Sequence, residues 1–273
     1  MNTINLLKDL LKKENIHLAG VIPAAELSII NPRLMPESID IKCCIVFLVP
    51  YKTDDEPEGD NEISLYARSM DYHIYFSRLY ERLLPALDKT FYGEHFFGFA
   101  DRSPVNEKLA AAKAGLGVIG RNSLLINEEY GSYVFIGSVL STLEVEASVA
   151  KISSCKSCLE CMRACPVKAI TENGIRPELC LSHLSQKKTL SQEQLLLLRK
   201  NKIVWGCDIC QTVCPLNKDT KTTQDNFFKN NRIDSIDEEA IRDMPDEVFG
   251  NYAFCWRGKN VILRNLNNIK KSV

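Results

Sequence analysis

From residue 155 to residue 166 the chain reads Cys-Lys-Ser-Cys-Leu-Glu-Cys-Met-Arg-Ala-Cys-Pro, a CxxCxxCxxxCP run. From 207 to 215 it reads Cys-Asp-Ile-Cys-Gln-Thr-Val-Cys-Pro, which repeats the last three cysteine positions of the first run. This is the spacing by which bacterial ferredoxins hold iron–sulfur clusters. Cys180 lies between the runs as an eighth thiol, and eight thiolates are enough for two four-cysteine 4Fe–4S clusters. The spacing works by reach. A loop with a Cys at every third residue wraps three thiolates around one face of a cluster, and the Cys before Pro is carried away to the other cluster. Cys155, Cys158 and Cys161 are therefore expected to share a cluster with Cys214, and Cys207, Cys210 and Cys180 to share the second with Cys165. Zinc favours separated CxxC pairs and fits this packing poorly. Disulfides would call for an export signal, and the amphipathic, lysine-rich start of the chain lacks the apolar core of one.

The chain has 273 residues, enough for one large domain or two modest ones, and 45% hydrophobic residues to fill a core. A net charge of −1 argues against a broadly basic nucleic-acid surface. No apolar run approaches a membrane span. Eleven cysteines in such a chain point to metal in a reducing compartment, hence to the cytoplasm.

Leu6, Leu7, Leu10 and Leu11 predict an amphipathic helix, and Ile41–Tyr51 a buried strand with Cys43 and Cys44 as small core residues. Residues 54–62 read as an acidic solvated loop. Phe76, Leu79, Leu83 and Leu87 keep a helical period, and His95–Ala100 reads as a strand. In Ala100-Asp-Arg-Ser-Pro104, Ser103 is expected to cap a helix that has Pro104 in its first turn and stops at Gly115. Asp101 then sits where strand gives way to helix. Gly115-Leu-Gly-Val-Ile-Gly120 matches GxGxxG, but a helix precedes it and a strand over 122–126 follows. That order is the reverse of a dinucleotide site, so the glycines are expected to allow a close backbone approach. Residues 128–132 form a turn, and Tyr133–Leu140 a further strand. Ser191 and Gln194 form a capping box for a helix to Lys200. Residues 217–232 read as a linker, and a second capping box at Ser235 and Glu238 starts a helix ending by Pro245. A terminal helix from Cys255 carries a basic face.

Taken together, these segments resemble the epoxyqueuosine reductases, cobalamin-dependent iron–sulfur enzymes of the last step in making queuosine in tRNA. The matching stretches are Met70-Asp-Tyr-His73, Asp101-Arg-Ser-Pro-Val-Asn-Glu107, Ala114-Gly-Leu-Gly-Val-Ile-Gly-Arg-Asn122 and Gly131-Ser-Tyr-Val-Phe-Ile-Gly137. Both cysteine runs, Cys180-Leu-Ser, Cys214-Pro-Leu-Asn217, Trp256-Arg-Gly-Lys259 and Arg264-Asn-Leu also match.

The resemblance implies an α+β protein in three parts. Residues 1–147 would form a cobalamin-binding α/β reductase domain like that of the reductive dehalogenases. Residues 148–218 would form a ferredoxin-like domain with two 4Fe–4S clusters, and 219–273 a short helical tail. Cobalamin would bind base-off. Asp101 falls on the family's proton donor, and Ser64, Tyr72, His73, Asn122, Ser123, Ser132, Ser182 and Asp208 on positions near the corrin. His73 would stand beside the corrin without ligating cobalt. His183 stays open between that neighbourhood and a cluster sulfur. The implied reaction is reductive removal of an epoxide oxygen, with electrons from an external donor passing through the clusters and Asp101 giving the proton. Burial against the corrin would raise its pKa toward neutrality.

Two departures stand out. The chain stops soon after Arg264-Asn-Leu, where fuller members continue into helical repeats that help hold tRNA, and its first 31 residues are abbreviated. The substrate is then tRNA or a smaller queuosine-like molecule. Arg257, Lys259, Arg264, Lys270 and Lys271 form a solvated basic face or meet phosphates. The rival readings are another corrinoid reductase, dehalogenase-like or acting on a non-tRNA substrate, and a two-cluster electron carrier.

Overall fold

The computed structural model of the protein describes residues 3–54, 63–147, 149–230, 232–233 and 235–271. All but the first residue of the expected acidic loop at 54–62 lies outside the described residues. The chain divides into two compact units. One comprises Met1–Pro50, His73–Gly120 and Leu124–Cys155, and the other Tyr51–Tyr72, Arg121–Ser123 and Lys156–Val273.

The first unit contains α1 (Thr3–Lys13), β1 (Leu18–Pro23), β2 (Cys43–Pro50), α2 (Tyr72–Thr90), β3 (Phe96–Ala100), α3 (Glu107–Lys113), β4 (Val118–Ile119), β5 (Leu125–Ile126) and β6 (Val134–Ser141). β1, β2, β6 and β3 form one sheet in that order, and each neighbouring pair is antiparallel. The sequence of β2 is apolar without alternation because both of its faces are covered. Cys44, Val46 and Leu48 pack with Ala110, Ala111 and Ala112 of α3. Phe47, on the other face, meets the rings of Phe76 and Tyr80 from α2. The period-matched residues Phe76, Leu79, Leu83 and Leu87 are the buried stripe of α2, and Leu7 and Leu11 that of α1. Cys43 and Cys44 are buried in the core as expected, and burial pushes the Cys43 thiol up to about 12 and the Cys44 thiol still further.

The helix after Asp101 starts later than its sequence suggests. Ser103 does not cap it; its hydroxyl accepts the Val105 N–H, while the Pro104 carbonyl accepts from Ile30 and Asn31. That carbonyl is then held outside the helix by strand-like bonds, and the cap falls to Asn106, whose Oδ1 accepts from Leu109 N–H. The helix ends as expected, with Gly115 at φ +78° following the Ala114 cap. The glycine segment does allow a close approach. β4 pairs with β5, and a Cβ on Gly117 would collide with the Ile126 carbonyl oxygen.

The second unit contains α4 (Glu160–Ala164), β7 (Ile170–Thr171), β8 (Gly174–Ile175), α5 (Leu181–Ser185), α6 (Gln192–Lys200), α7 (Ile209–Thr212), α8 (Asn226–Lys229), α9 (Glu238–Asp243), α10 (Asp246–Phe249) and α11 (Lys259–Ile269). The capping box at Ser191 and Gln194 forms in full. Residues 217–232 are not a free linker: Thr223 and Phe228 are buried, and Asp225 caps α8. The cap of α9 is Asp237 rather than Ser235, since it is the Asp237 carboxylate that reaches Ala240 N–H. The last helix begins at Lys259 because Gly258, at φ +83°, breaks the chain direction after a short turn over Cys255–Arg257.

α11 packs on α6 and α9 and belongs to the core of this unit. Val261, Ile262 and Leu266 join Ile63, Trp205 and Phe254. Its basic face is largely committed. Arg264 donates to the carbonyls of Lys187 and Lys188, Lys259 to that of Met244, and Lys270 pairs with Glu238 at 3.6 Å. Among the described residues no helix is long and apolar enough to cross a membrane.

The crowding at Gly117 gives a direct check on the first unit. Gly117→Ala must push two backbones apart, at about 1–3 kcal/mol, and a lowered melting temperature with unchanged iron content is the expected result.

Candidate functional site

β3 ends at Ala100, and Asp101 turns the chain at φ +62°. The Arg102 N–H donates back to the Ala100 carbonyl at 2.7 Å, closing a three-residue turn centred on Asp101. Positive φ at the centre of such a turn is the rare, strained form. The Asp101 side chain is 65% exposed, and its Oδ2 lies 3.6 Å from His73 Nε2 at the start of α2.

Beneath the turn is a second carboxylate. The Asp101 N–H donates to Glu107 Oε2 at 3.1 Å, and the Ser138 hydroxyl donates to Glu107 Oε1 at 3.1 Å. Ser138 is fully buried on β6. The Tyr80 hydroxyl, from α2, donates to the Phe99 carbonyl at 2.5 Å and stands 3.2 Å from that of Ser138. Burial pushes Glu107 up from the usual 4.5 to about 7. Its bonds from Ser138 and Asp101 oppose the rise, and the Asp101 charge adds to it. Sequence reasoning quoted Glu107 within the Asp101 stretch without assigning it a role, and did not pair His73 with Asp101. An acid in the first turn of a helix ordinarily reads as a dipole partner, and nothing in the sequence marks this one as buried.

The eight candidate cluster thiols lie in the second unit except Cys155, the last residue of the first. Cys161, Cys180 and Cys210 pack, partly buried, against buried Cys165, Ala169 and Ile170, and Cys207 packs against Leu181, Leu184, Leu198 and Ile203. Burial drives Cys207 and Cys210 up to about 12. The Cys180 and Cys165 thiols push Cys207 further, Cys207 and Cys180 do so to Cys210, and a hydrogen bond from the Asn122 side chain opposes the rise at Cys210. The Ala169 N–H also points at Cys165 Sγ, 3.3 Å away. In the first run, Ser157 and Leu159 adopt left-handed φ of +53° and +65°, which curls the backbone tightly between Cys155 and Cys161. Cys158 is exposed, and Cys155, Cys161 and Cys214 are half-buried. Among the described residues no three His, Cys, Asp or Glu side chains converge on a single-ion site.

The expected corrin-facing residues separate into different roles. Ser64 and Asp208 hold each other: the Ser64 hydroxyl donates to Asp208 Oδ1 at 2.5 Å, and Leu65 N–H to Oδ2 at 2.7 Å. Burial raises the Asp208 pKa, and these two bonds with the Arg68 charge pull it back. Asn122 is buried and spends its amide at Cys210. Ser123 sits at φ +60° ahead of β5, Tyr72 opens α2, Ser132 is buried just before β6, and Ser182 lies half-buried in α5. His183, also on α5, is exposed.

These features define a two-cluster iron–sulfur oxidoreductase. Residues 154–217 match the family model described as a 4Fe-4S double cluster binding domain. An epoxyqueuosine reductase of Lactococcus garvieae is 30% identical, the match covering 87% of this chain and 70% of that one. One from Staphylococcus aureus is 29% identical over 93% of this chain and 70% of its own. The chain belongs to the epoxyqueuosine reductase family. Among solved structures, the epoxyqueuosine reductase of Streptococcus thermophilus superposes with a TM-score of 0.83 at 24% identity, covering 98% of this chain and 81% of that one. A family structure with an epoxyqueuosine-modified tRNA stem loop gives 0.82 at 22% identity, covering 98% and 81%. A reductive dehalogenase, reported with a mechanism for B12-dependent dehalogenation, gives 0.53 at 17% identity, covering 96% and 36%.

The raised pKa of Glu107 has a sign that stability measurements can read. The folded chain holds this proton more tightly than the unfolded one, so stability falls as pH rises from 4.5 to about 7. Above that range the buried charge costs about 3 kcal/mol. Glu107→Gln removes the titration. The melting temperature of the variant, measured anaerobically, is expected to exceed the parent's by several degrees at pH 8 and to match it at pH 4.5.

Proposed function

We propose that the protein reduces epoxyqueuosine to queuosine in tRNA, with cobalamin bound beside the two 4Fe–4S clusters and Asp101 as the proton donor. The observation that carries this reading is the Asp101 turn: an exposed carboxyl on a strained, hydrogen-bonded turn, with an imidazole at 3.6 Å. Removing an epoxide oxygen takes up electrons and protons in equal number and releases water, so a positioned acid is required. The tRNA stem loop seen with one relative and the B12 chemistry reported for the dehalogenase support the substrate and the cofactor.

Cobalamin, when bound, supplies low-valent metal chemistry, and the clusters supply single electrons from an external donor. The chain's own part is binding, orientation and proton delivery. Tyr72, Ser123, Ser132 and Ser182 carry hydroxyl groups of a kind that would suit the amide-fringed edge of a corrin; Asn122 already bonds Cys210 with its amide, and Ser64, whose hydroxyl donates to Asp208, can only accept. The imidazole of His73 is turned to Asp101. Asp101 holds the proton for the departing oxygen, and His73 keeps the carboxyl oriented. Cys155, Cys158, Cys161 and Cys214 would hold one cluster, and Cys165, Cys180, Cys207 and Cys210 the other, as the spacing of the two runs suggests.

Anaerobic protein with both clusters reconstituted is expected to take up cobalamin and give a base-off cobalt signal by electron paramagnetic resonance; failure to bind cobalamin would leave only the electron carrier. Asp101→Asn should retain cobalamin and iron yet lose about 10²–10⁴-fold in turnover of epoxyqueuosine-tRNA, and undiminished turnover would remove Asp101 from the chemistry. If the free nucleoside reacts and the tRNA does not, the substrate is the smaller molecule. For the clusters, Cys165→Ser is expected to perturb the spectrum of the set containing Cys207 and Cys210, whereas damage confined to the set of Cys158 and Cys161 would reverse the pairing.

A further inference from the structure

We infer that Glu107 is the positioning residue of Asp101, clamping the turn that presents the acid; the inference rests on the reading of Asp101 as proton donor. A non-glycine residue at φ +62° in a three-residue turn stores on the order of 1–3 kcal/mol. Such a turn persists only where its surroundings hold it. The side chain of Asp101 points to His73, so what fixes the turn must act on its backbone. The Asp101 N–H is gripped from below by Glu107 Oε2 at 3.1 Å.

The clamp is rigid because both of its ends are. Glu107 is the first residue of α3, directly after the Asn106 cap, and its other oxygen is fastened by the hydroxyl of fully buried Ser138 in the interior of β6. The titratable groups facing the carboxylate are Tyr80 from α2, Cys44 from β2 and Asp101 itself from the turn. Tyr80 and Cys44 are kept protonated by burial, and among the described residues no lysine or arginine is paired with Glu107. A carboxylate placed here without a cation costs stability. Leucine or methionine would fill the same volume without that cost but could not accept the turn's N–H. The acid at 107 is thus explained by the bond it makes to Asp101.

The test is a double-mutant cycle on the holoenzyme. Glu107→Ala is expected to lower kcat roughly 30–100-fold, the penalty of a catalytic group misplaced by about 1 Å, with KM, iron content and cobalamin content little changed. Glu107→Gln keeps an oxygen for the Asp101 N–H and can donate to Ser138, so it should restore kcat to within about threefold of the parent. In an Asp101→Asn background Glu107→Ala should add less than about twofold, because the clamp then has nothing to position. Multiplicative loss in that background would show that Glu107 acts independently of Asp101 and overturn the inference, as would a Gln variant as impaired as Ala. Full turnover by Asp101→Asn alone would instead overturn the underlying assignment and the inference with it. Should the Ala variant not fold, Ser138→Ala loosens the same clamp from its other end, with a smaller loss expected under the same rule of non-additivity.

Discussion

β6 is the strand on which the first unit depends. It is paired along its whole length with β2 and along five residues with β3, so its backbone is satisfied on both edges and its side chains are sorted strictly by face. Gly137 shows how tightly one face is filled: the rings of Phe47 and Phe76 occupy the space its side chain would need. One residue later Ser138 offers the only kind of group that position can usefully hold, a hydroxyl small enough to be enclosed and able to bond Glu107. From that bond the order passes outward, from β6 to the head of α3 and from there to the turn carrying Asp101. The Asp101 carboxyl is exposed, yet its backbone N–H is held by a carboxylate fastened to the core.

The elements legible in the sequence were those with a period. α1 and α2 announced themselves by leucines and aromatics at helical spacing, and the same residues are the buried ones. β2 was legible as a continuous apolar run because helices cover both faces. The glycine segment was readable by elimination: a helix before it and a strand after it left close approach as its purpose, and Gly117 against Ile126 is that approach. The cysteine runs were legible because metal ligation imposes a local spacing that a short loop must satisfy.

What escaped the sequence depends on partners far along the chain. Asp208 was expected beside a cofactor, and what the sequence could not show is that its carboxylate accepts from the Ser64 hydroxyl and the Leu65 N–H, 144 and 143 residues earlier. Ser103 and Ser235 are good caps by residue type, and both lost the role to a side chain closer to the helix, Asn106 and Asp237. Capping propensity identifies the neighbourhood of a helix start, while the register is decided by which carbonyls tertiary contacts have already claimed. Glu107 belongs to the same class: residue type and helix position were plain, and only the position of Ser138 turns it into a buried clamp.

The tail makes the same point about charge. Five basic residues near the C-terminus invite a reading as a phosphate-binding face, yet four of them, Lys270 with Glu238 among them, are engaged within the second unit. Arg264 reaches two carbonyls following α5, next to Asn265, whose side-chain amide donates to the Ser185 and Val204 carbonyls. Lys259 neutralises Asp246 at 2.8 Å and bonds the Met244 carbonyl. Arg257 lies over the Trp256 ring with its guanidinium 3.7 Å from the centroid. A guanidinium bonded to two carbonyls is fixed in place and cannot follow a flexible polyanion, so the helix bearing Arg264 anchors the segments that carry the thiols. For the same reason, a salt-dependent attraction to nucleic acid cannot be read from the number of lysines and arginines in such a segment. It depends on the cations left over after the fold has used its share.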